Sequence, residues 1–158
     1  QAFVTSDFSV ANVVANSHSA KPLVYRISGV WGNHEGSMLL WSLILAGWTY
    51  AVTLYSSQLD ERTLARVLGV MGLISCGFLL FTLLTSNPFE RLLPAAADGR
   101  DLNPLLQDPG MIIHPPMLYM GYVGFVVAFA FAIDHRLCIR IRESAVRTHY
   151  RAPEPFVL

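Results

Sequence analysis

The chain has 158 residues, of which 53% are hydrophobic and 14% charged, and eleven Lys and Arg balance eleven Asp and Glu. Disorder requires low hydrophobicity with high net charge, and a nucleic-acid binder presents a basic face; a formal net charge of zero and a mean hydropathy of +0.44 exclude the first and argue against the second. Two cysteines, Cys76 and Cys138, with no C-x-x-C pair, exclude a disulfide scaffold and self-attachment of a c-type haem.

The charges are segregated along the chain. Residues 1–37 begin at Gln1 with no basic-then-apolar leader, so either a segment has been removed or the sequence is part of a larger protein. A charge-free run of 24 residues, 36–59, contains the first apolar stretch, 38–55. A connection, 56–66, leads to a charge-free run of 23, 67–89, holding the second stretch at 67–86. A long loop, 87–114, precedes the third stretch at 115–133, inside a charge-free run of 25 from 109 to 133. The tail, 134–158, is basic. A helix needs about 20 mostly apolar residues to cross a bilayer. The reading is an all-α membrane protein with three transmembrane helices and an ordered outer loop. Seven of the basic residues fall in the 36 residues of 56–66 and 134–158, against four in the 65 residues on the other side. The positive-inside rule then places 56–66 and the tail in the cytoplasm, with 1–37 and 87–114 facing outward.

The loop 87–114 is punctuated by Asn87-Pro88, Pro94, Asn103-Pro104 and Asp108-Pro109-Gly110, with the apolar pairs Leu92-Leu93, Leu105-Leu106 and Ile112-Ile113 between them. That pattern predicts a shaped loop on the membrane surface. It ends at His114-Pro115-Pro116. Proline suits the first position of a helix and pushes the preceding residue to extended backbone. His114 is therefore expected just outside the third span, in a restricted conformation at the membrane boundary. A neutral imidazole there suits an axial haem ligand, but on these residues alone an interfacial cap bonded to loop carbonyls is the stronger reading.

Trp31-Gly32-Asn33-His34-Glu35-Gly36-Ser37 precedes the first span. It lacks the second histidine of H-E-x-x-H. His34 and Glu35 can bond each other, grip a polar partner or simply anchor the interface with Trp31 at headgroup level. Trp41 and Trp48 share a helical face, to flank a flat ligand or to pack. Gly121, Gly124, Ala128 and Ala132 form a small-residue stripe, repeated by Gly47 and Ala51, that reads as helix packing. Cys76 reads as an inert core residue. Asp98, Asp101 and Asp108 read as partners of Arg91 and Arg100 in solvated loop ion pairs.

Ser86-Asn87-Pro88-Phe89, Asp98-Gly99-Arg100-Asp101-Leu102-Asn103-Pro104-Leu105-Leu106-Gln107-Asp108-Pro109-Gly110 and His114-Pro115-Pro116-Met117-Leu118-Tyr119 resemble CcmF, the haem-lyase subunit family of bacterial-type cytochrome c maturation. Asp7-Phe8-Ser9-Val10 and the 31–37 stretch resemble the same family, so the likeness covers residues 1–133. Asn33 departs from it, standing where members usually have a second glycine. The tail after 133 is expected to diverge, and the resemblance is to an N-terminal portion.

The resemblance implies a protein of the bacterial inner membrane, or alternatively the mitochondrial one, with functional loops in the periplasm. It implies haem b as cofactor, and as partners a haem chaperone, apocytochrome c and thiol-handling maturation subunits. His114 matches the family's outward-facing axial ligand to haem iron. Trp31, His34 and Glu35 fall in a family hallmark and become secondary cofactor-binding candidates, beside the 103–110 stretch. The tryptophan-rich loop and further histidine ligands of the family have no counterpart in this chain, so it is expected to be a portion of the lyase that does not complete the reaction alone. The alternatives are a haem relay without lyase chemistry and a non-haem membrane scaffold.

Overall fold

The computed structural model describes residues 1–150, whose regular secondary structure is all helical apart from an isolated antiparallel bridge between Val10 and Arg91. Three short helices, α1 (Ala2–Thr5), α2 (Ala11–Asn16) and α3 (Leu23–Ser28), lead through a 3₁₀ turn at Gly29–Trp31 into three long helices. These are α4 (His34–Tyr55), α5 (Glu61–Thr85) and α6 (Pro109–Tyr150), each long and apolar enough to cross a membrane. The chain is an all-α membrane protein with three such helices and an ordered loop between α5 and α6.

Each long helix starts earlier than its apolar stretch, because each starts on a polar cap. Asn33, with extended backbone, accepts from the Gly36 N–H at 3.0 Å and opens α4. Asp60 accepts from the Arg62 N–H at 3.2 Å and opens α5. A side-chain oxygen at this position satisfies one of the orphaned N–H groups of the first turn. Asn33, the departure from the family pattern, is therefore the cap of α4. Inside the spans, the hydroxyls of Ser42, Thr49, Ser75 and Thr82 donate to the carbonyl four residues back. Their polar groups thus stay satisfied within an apolar surface.

The third helix departs most from expectation. It begins at Pro109, so His114 and both following prolines lie inside it and His114 is helical, not extended. The reason is Asp108: its carboxylate accepts the Gly110 N–H at 2.6 Å and its carbonyl accepts the Met111 N–H at 2.9 Å. Asp108-Pro109 is thus a helix cap followed by proline at the first helical position, the placement proline favours. At its other end α6 runs on through Tyr150, into the segment expected to be a separate tail; residues 151–158 of that tail lie outside the described residues.

α4, α5 and α6 pack on one another around Leu45, Val52, Val67, Met71, Val123 and Ala130. Trp41 joins all three, its ring 5.6 Å from Phe78 on α5 and 5.5 Å from Tyr119 on α6. Trp48 donates to the Met120 carbonyl at 3.1 Å and lies over Gly124. Both tryptophans pack. Of the expected small-residue stripe, Gly124 meets a neighbouring helix, whereas Gly121, Ala128 and Ala132 are exposed; the packed face of α6 carries Val123 and Ala130 instead. Cys76 is likewise exposed on the bundle surface, not in its core. Where α5 begins, Arg66 is ion-paired with buried Asp134 and donates to the Cys138 sulfur at 3.2 Å. Pairing offsets the cost of holding a carboxylate in so apolar a setting.

Candidate functional site

The site candidates sit where the N-terminal segment and the 87–108 loop meet the ends of the three long helices. The two segments are laced by main-chain bonds: Ala11 N to Glu90 O at 2.9 Å, Leu92 N to Ser9 O at 2.8 Å, Ala96 N to Phe8 O at 3.2 Å and Arg100 N to Val14 O at 2.7 Å. Irregular backbone needs such partners wherever water is excluded. Beneath them Phe3, Val10 and Val13 form a small apolar core. Gly99 passes so close to the Ser17 carbonyl that a Cβ would lie 1.8 Å from it.

The acidic residues pair across this seam, not within the loop as expected. Lys21, almost buried, is 2.5 Å from Asp101; His18 is 3.6 Å from Asp98; Arg91 is 3.6 Å from Asp7. The Ser9 hydroxyl and N–H hold Asp7 below the ordinary carboxylate pKa, with Arg91 adding to the effect. The Ser19 hydroxyl, then the Gly99 and Ser19 N–H groups and His18, do the same to Asp98. Desolvation pushes Asp101 up, but the Lys21 ammonium and the Leu102 N–H outweigh it and the net direction is down. Asp108 belongs to neither set, being the cap of α6.

His114 is exposed on the second turn of α6, and its imidazole makes no hydrogen bond or ion pair with a described residue. The interfacial-cap alternative, a ring bonded to loop carbonyls, thus finds no partner among the described residues. Trp31 stands beside the same stretch of helix: its indole N–H donates to the Met111 carbonyl at 2.8 Å. His34, the first residue of α4, turns instead toward α5 and meets Phe81 edge-on at 6.1 Å. Phe81 also lines an apolar groove of about 410 Å³ with Met38, Ile74, Gly77 and Phe78. Glu35 faces a third direction, into a polar cavity of about 150 Å³ shared with Asn12, Asn33, Asn87 and Glu90. The structure therefore brings Trp31 to the helix of His114 and sends His34 and Glu35 elsewhere. Among the described residues no three His, Cys, Asp or Glu side chains gather into a metal-binding group.

Sequence reasoning missed two contributors. Ser37 donates to the Trp31 carbonyl at 3.1 Å, and Tyr119 donates to the Ser37 hydroxyl at 3.2 Å. The first is local to the 31–37 turn; the second joins residues 82 apart in the chain, for which no local pattern gives a signal. Gly36 eases a tight turn: a Cβ there would lie 1.4 Å from the Val30 carbonyl oxygen, so the chain doubles back too closely for any side chain.

A family described as cytochrome C assembly protein matches residues 31–150, through the basic stretch where the resemblance was expected to lapse. The chain is 69% identical over 133 residues to a cytochrome c-type biogenesis protein CcmF of Pseudomonas aeruginosa, covering 84% of this chain and 20% of the relative. It is 56% identical over 147 residues to the CcmF of Escherichia coli, covering 92% and 23%. It is 47% identical over 132 residues to a cytochrome c-type biogenesis protein NrfE of Haemophilus influenzae, covering 84% and 21%. The chain thus spans about a fifth of the length of these relatives. No solved structure matches it.

Proposed function

The chain belongs to the cytochrome C assembly protein family, where it corresponds to a portion of the CcmF type, and from that premise we propose that it is part of a membrane haem lyase in cytochrome c-type biogenesis. In this reading it lies in the bacterial inner membrane with 1–33 and 87–108 on the periplasmic face, and His114 is an axial ligand to haem iron there. One observation carries it: a lone imidazole, exposed and free of hydrogen-bond partners among the described residues, stands on a rigid helix of which the first turns are fixed by neighbouring segments.

His114 would supply one axial position, and the described residues gather no group of three metal-ligating side chains. A bis-histidine site, and the resident haem b of the family, would be completed by the rest of the full-length protein. Haem handed over by a membrane-anchored chaperone is the substrate; its vinyl groups are what the apocytochrome thiols, kept reduced by thiol-handling subunits, add to. This chain's own contribution is to hold the iron and fix its orientation, so that an encounter of two large reactants becomes a local one. A ligand on a helix is better suited to that than one on a mobile loop, because its rotamer is referred to a rigid frame.

The test is the haem spectrum of the full-length protein with and without His114→Ala. The variant is expected to lose most of the haem loaded by the chaperone, together with its bis-histidine signature; an unchanged Soret band overturns the assignment. Orientation is checked by single cysteines at Ala95 and Gln58 in a background lacking Cys76 and Cys138. A membrane-impermeant reagent applied from the periplasm should label position 95 and spare position 58.

A further inference from the structure

We propose that Trp31 is a positioning residue for His114, its indole N–H standing in for the main-chain donor that Pro115 lacks. In an α-helix, residue 115 would donate to the carbonyl of residue 111. Proline has no N–H, and its ring also crowds the carbonyl four residues back, so an interior proline frees and disturbs that group. Pro115 is interior here, because α6 begins at Pro109. Where a helix enters an apolar medium, a freed carbonyl must find a donor on a neighbouring element. Trp31 supplies it, with Nε1 2.8 Å from the Met111 oxygen.

The donor is itself fixed. Ser37 holds the Trp31 carbonyl, and Tyr119 holds Ser37. The 31–37 segment therefore grips α6 at Met111 and again at Tyr119, one point on either side of His114. Gly36 permits the doubling back that aims the indole at α6. The grip explains why a tryptophan, a glycine and a serine share one motif ahead of α4: Trp31 donates, Gly36 allows the bend and Ser37 ties the two helices. A proline pair alone would leave the turn carrying His114 loosened at the point where a ligand has to be held still. Trp31 restores its rigidity without restoring the lost N–H. The proposal rests on the reading of His114 as a haem ligand.

The test uses the full-length protein loaded by its haem chaperone, as wild type, Trp31→Phe, Pro115→Ala, the double variant and His114→Ala. Phenylalanine keeps a packing ring but cannot donate; alanine at 115 returns the N–H that the indole replaces. Haem binding and the axial-ligand spectrum are read beside hydrogen exchange over residues 109–119. Trp31→Phe is expected to speed exchange in that stretch and weaken haem binding about five- to tenfold, the equivalent of one hydrogen bond. Pro115→Ala should rescue both in the double variant, which a general packing defect would not allow. If Trp31→Phe matches wild type, or Pro115→Ala fails to rescue it, while His114→Ala still abolishes haem binding, the positioning role falls and the ligand assignment stands. If His114→Ala leaves haem binding unchanged, the ligand assignment and the positioning role fall together.

Discussion

The polar layer at one end of the molecule and the helical bundle beneath it are held together in opposite ways. In the bundle the helices satisfy most of their own backbone, and beyond a few polar ties such as Trp48–Met120 and Arg66–Asp134 the interhelical contacts are packing: Leu45, Val67, Met71 and Val123 inside, and large side chains such as Leu43, Leu73 and Leu84 turned outward. In the layer, residues 1–33 form only short helices and 87–108 have little regular structure. Their backbone groups pair across the seam, reinforced by Lys21–Asp101 and two looser ion pairs. The difference teaches where each region's specificity lies. An apolar surface in lipid gains little from burial and depends on shape, whereas the layer depends on matching donors to acceptors, each of which costs free energy if left alone. Trp31 sits where the two regimes meet, a layer residue mending a bundle helix.

Breaking the two regions separately should therefore leave different marks. Gly99→Ala places a Cβ against the Ser17 carbonyl and is expected to cost about 3 kcal/mol by forcing backbone apart. The damage should stay in the layer: faster hydrogen exchange over 8–19 and 90–101, with α5 protected as before. Met71→Ala, at a fully buried core position, should cost about 2 kcal/mol, near the low end for such truncations because lipid supplies no transfer penalty. It should lower the thermal midpoint of the bundle and leave the seam intact. Equal effects on both regions from either variant would show that layer and bundle unfold as one unit.

Acid gives the gentlest separation. Asp7, Asp98 and Asp101 are each held below the ordinary carboxylate value of 3.8, so each favours the docked layer while ionised. That contribution is fully present above the unfolded value and is lost as pH falls through the lower docked values. Exchange over 8–21 and 90–102, corrected for its intrinsic pH dependence, should rise as pH is taken from 5 toward 3. Amides of α4 around Leu45 should not follow, since that helix has no carboxylate beyond Glu35 in its first turn.

The starting points of the helices mark the boundary of what local patterns reveal. Asn33, Asp60 and Asp108 are all residues that cap helices, and Asp108-Pro109 in particular carries the signature of a helix start. Two prolines after His114 carry a stronger version of the same signal, which points to the later boundary. The Asp108 cap starts the helix earlier, and the Trp31 indole, from a residue 80 positions away, donates to the Met111 carbonyl that the interior proline leaves free. His114 was legible as a candidate; its place on the second turn of a helix was not. Likewise His34 and Glu35 are adjacent in sequence, which suggests one site, yet the helix start separates them, one toward Phe81 and one toward Asn87.

Sequence alone determined that this chain has three membrane-crossing helices, because a hydrocarbon medium tolerates only long uncharged runs with internally paired backbone, and such runs announce themselves residue by residue. It also determined that the loop after α5 is shaped, since prolines and Asx turns act locally. Tertiary structure decided which carboxylate meets which cation, which face of α6 packs and how the turn bearing His114 is held. Each of these depends on two distant groups meeting at hydrogen-bond or contact range, and that distance is set by how the whole chain folds back on itself.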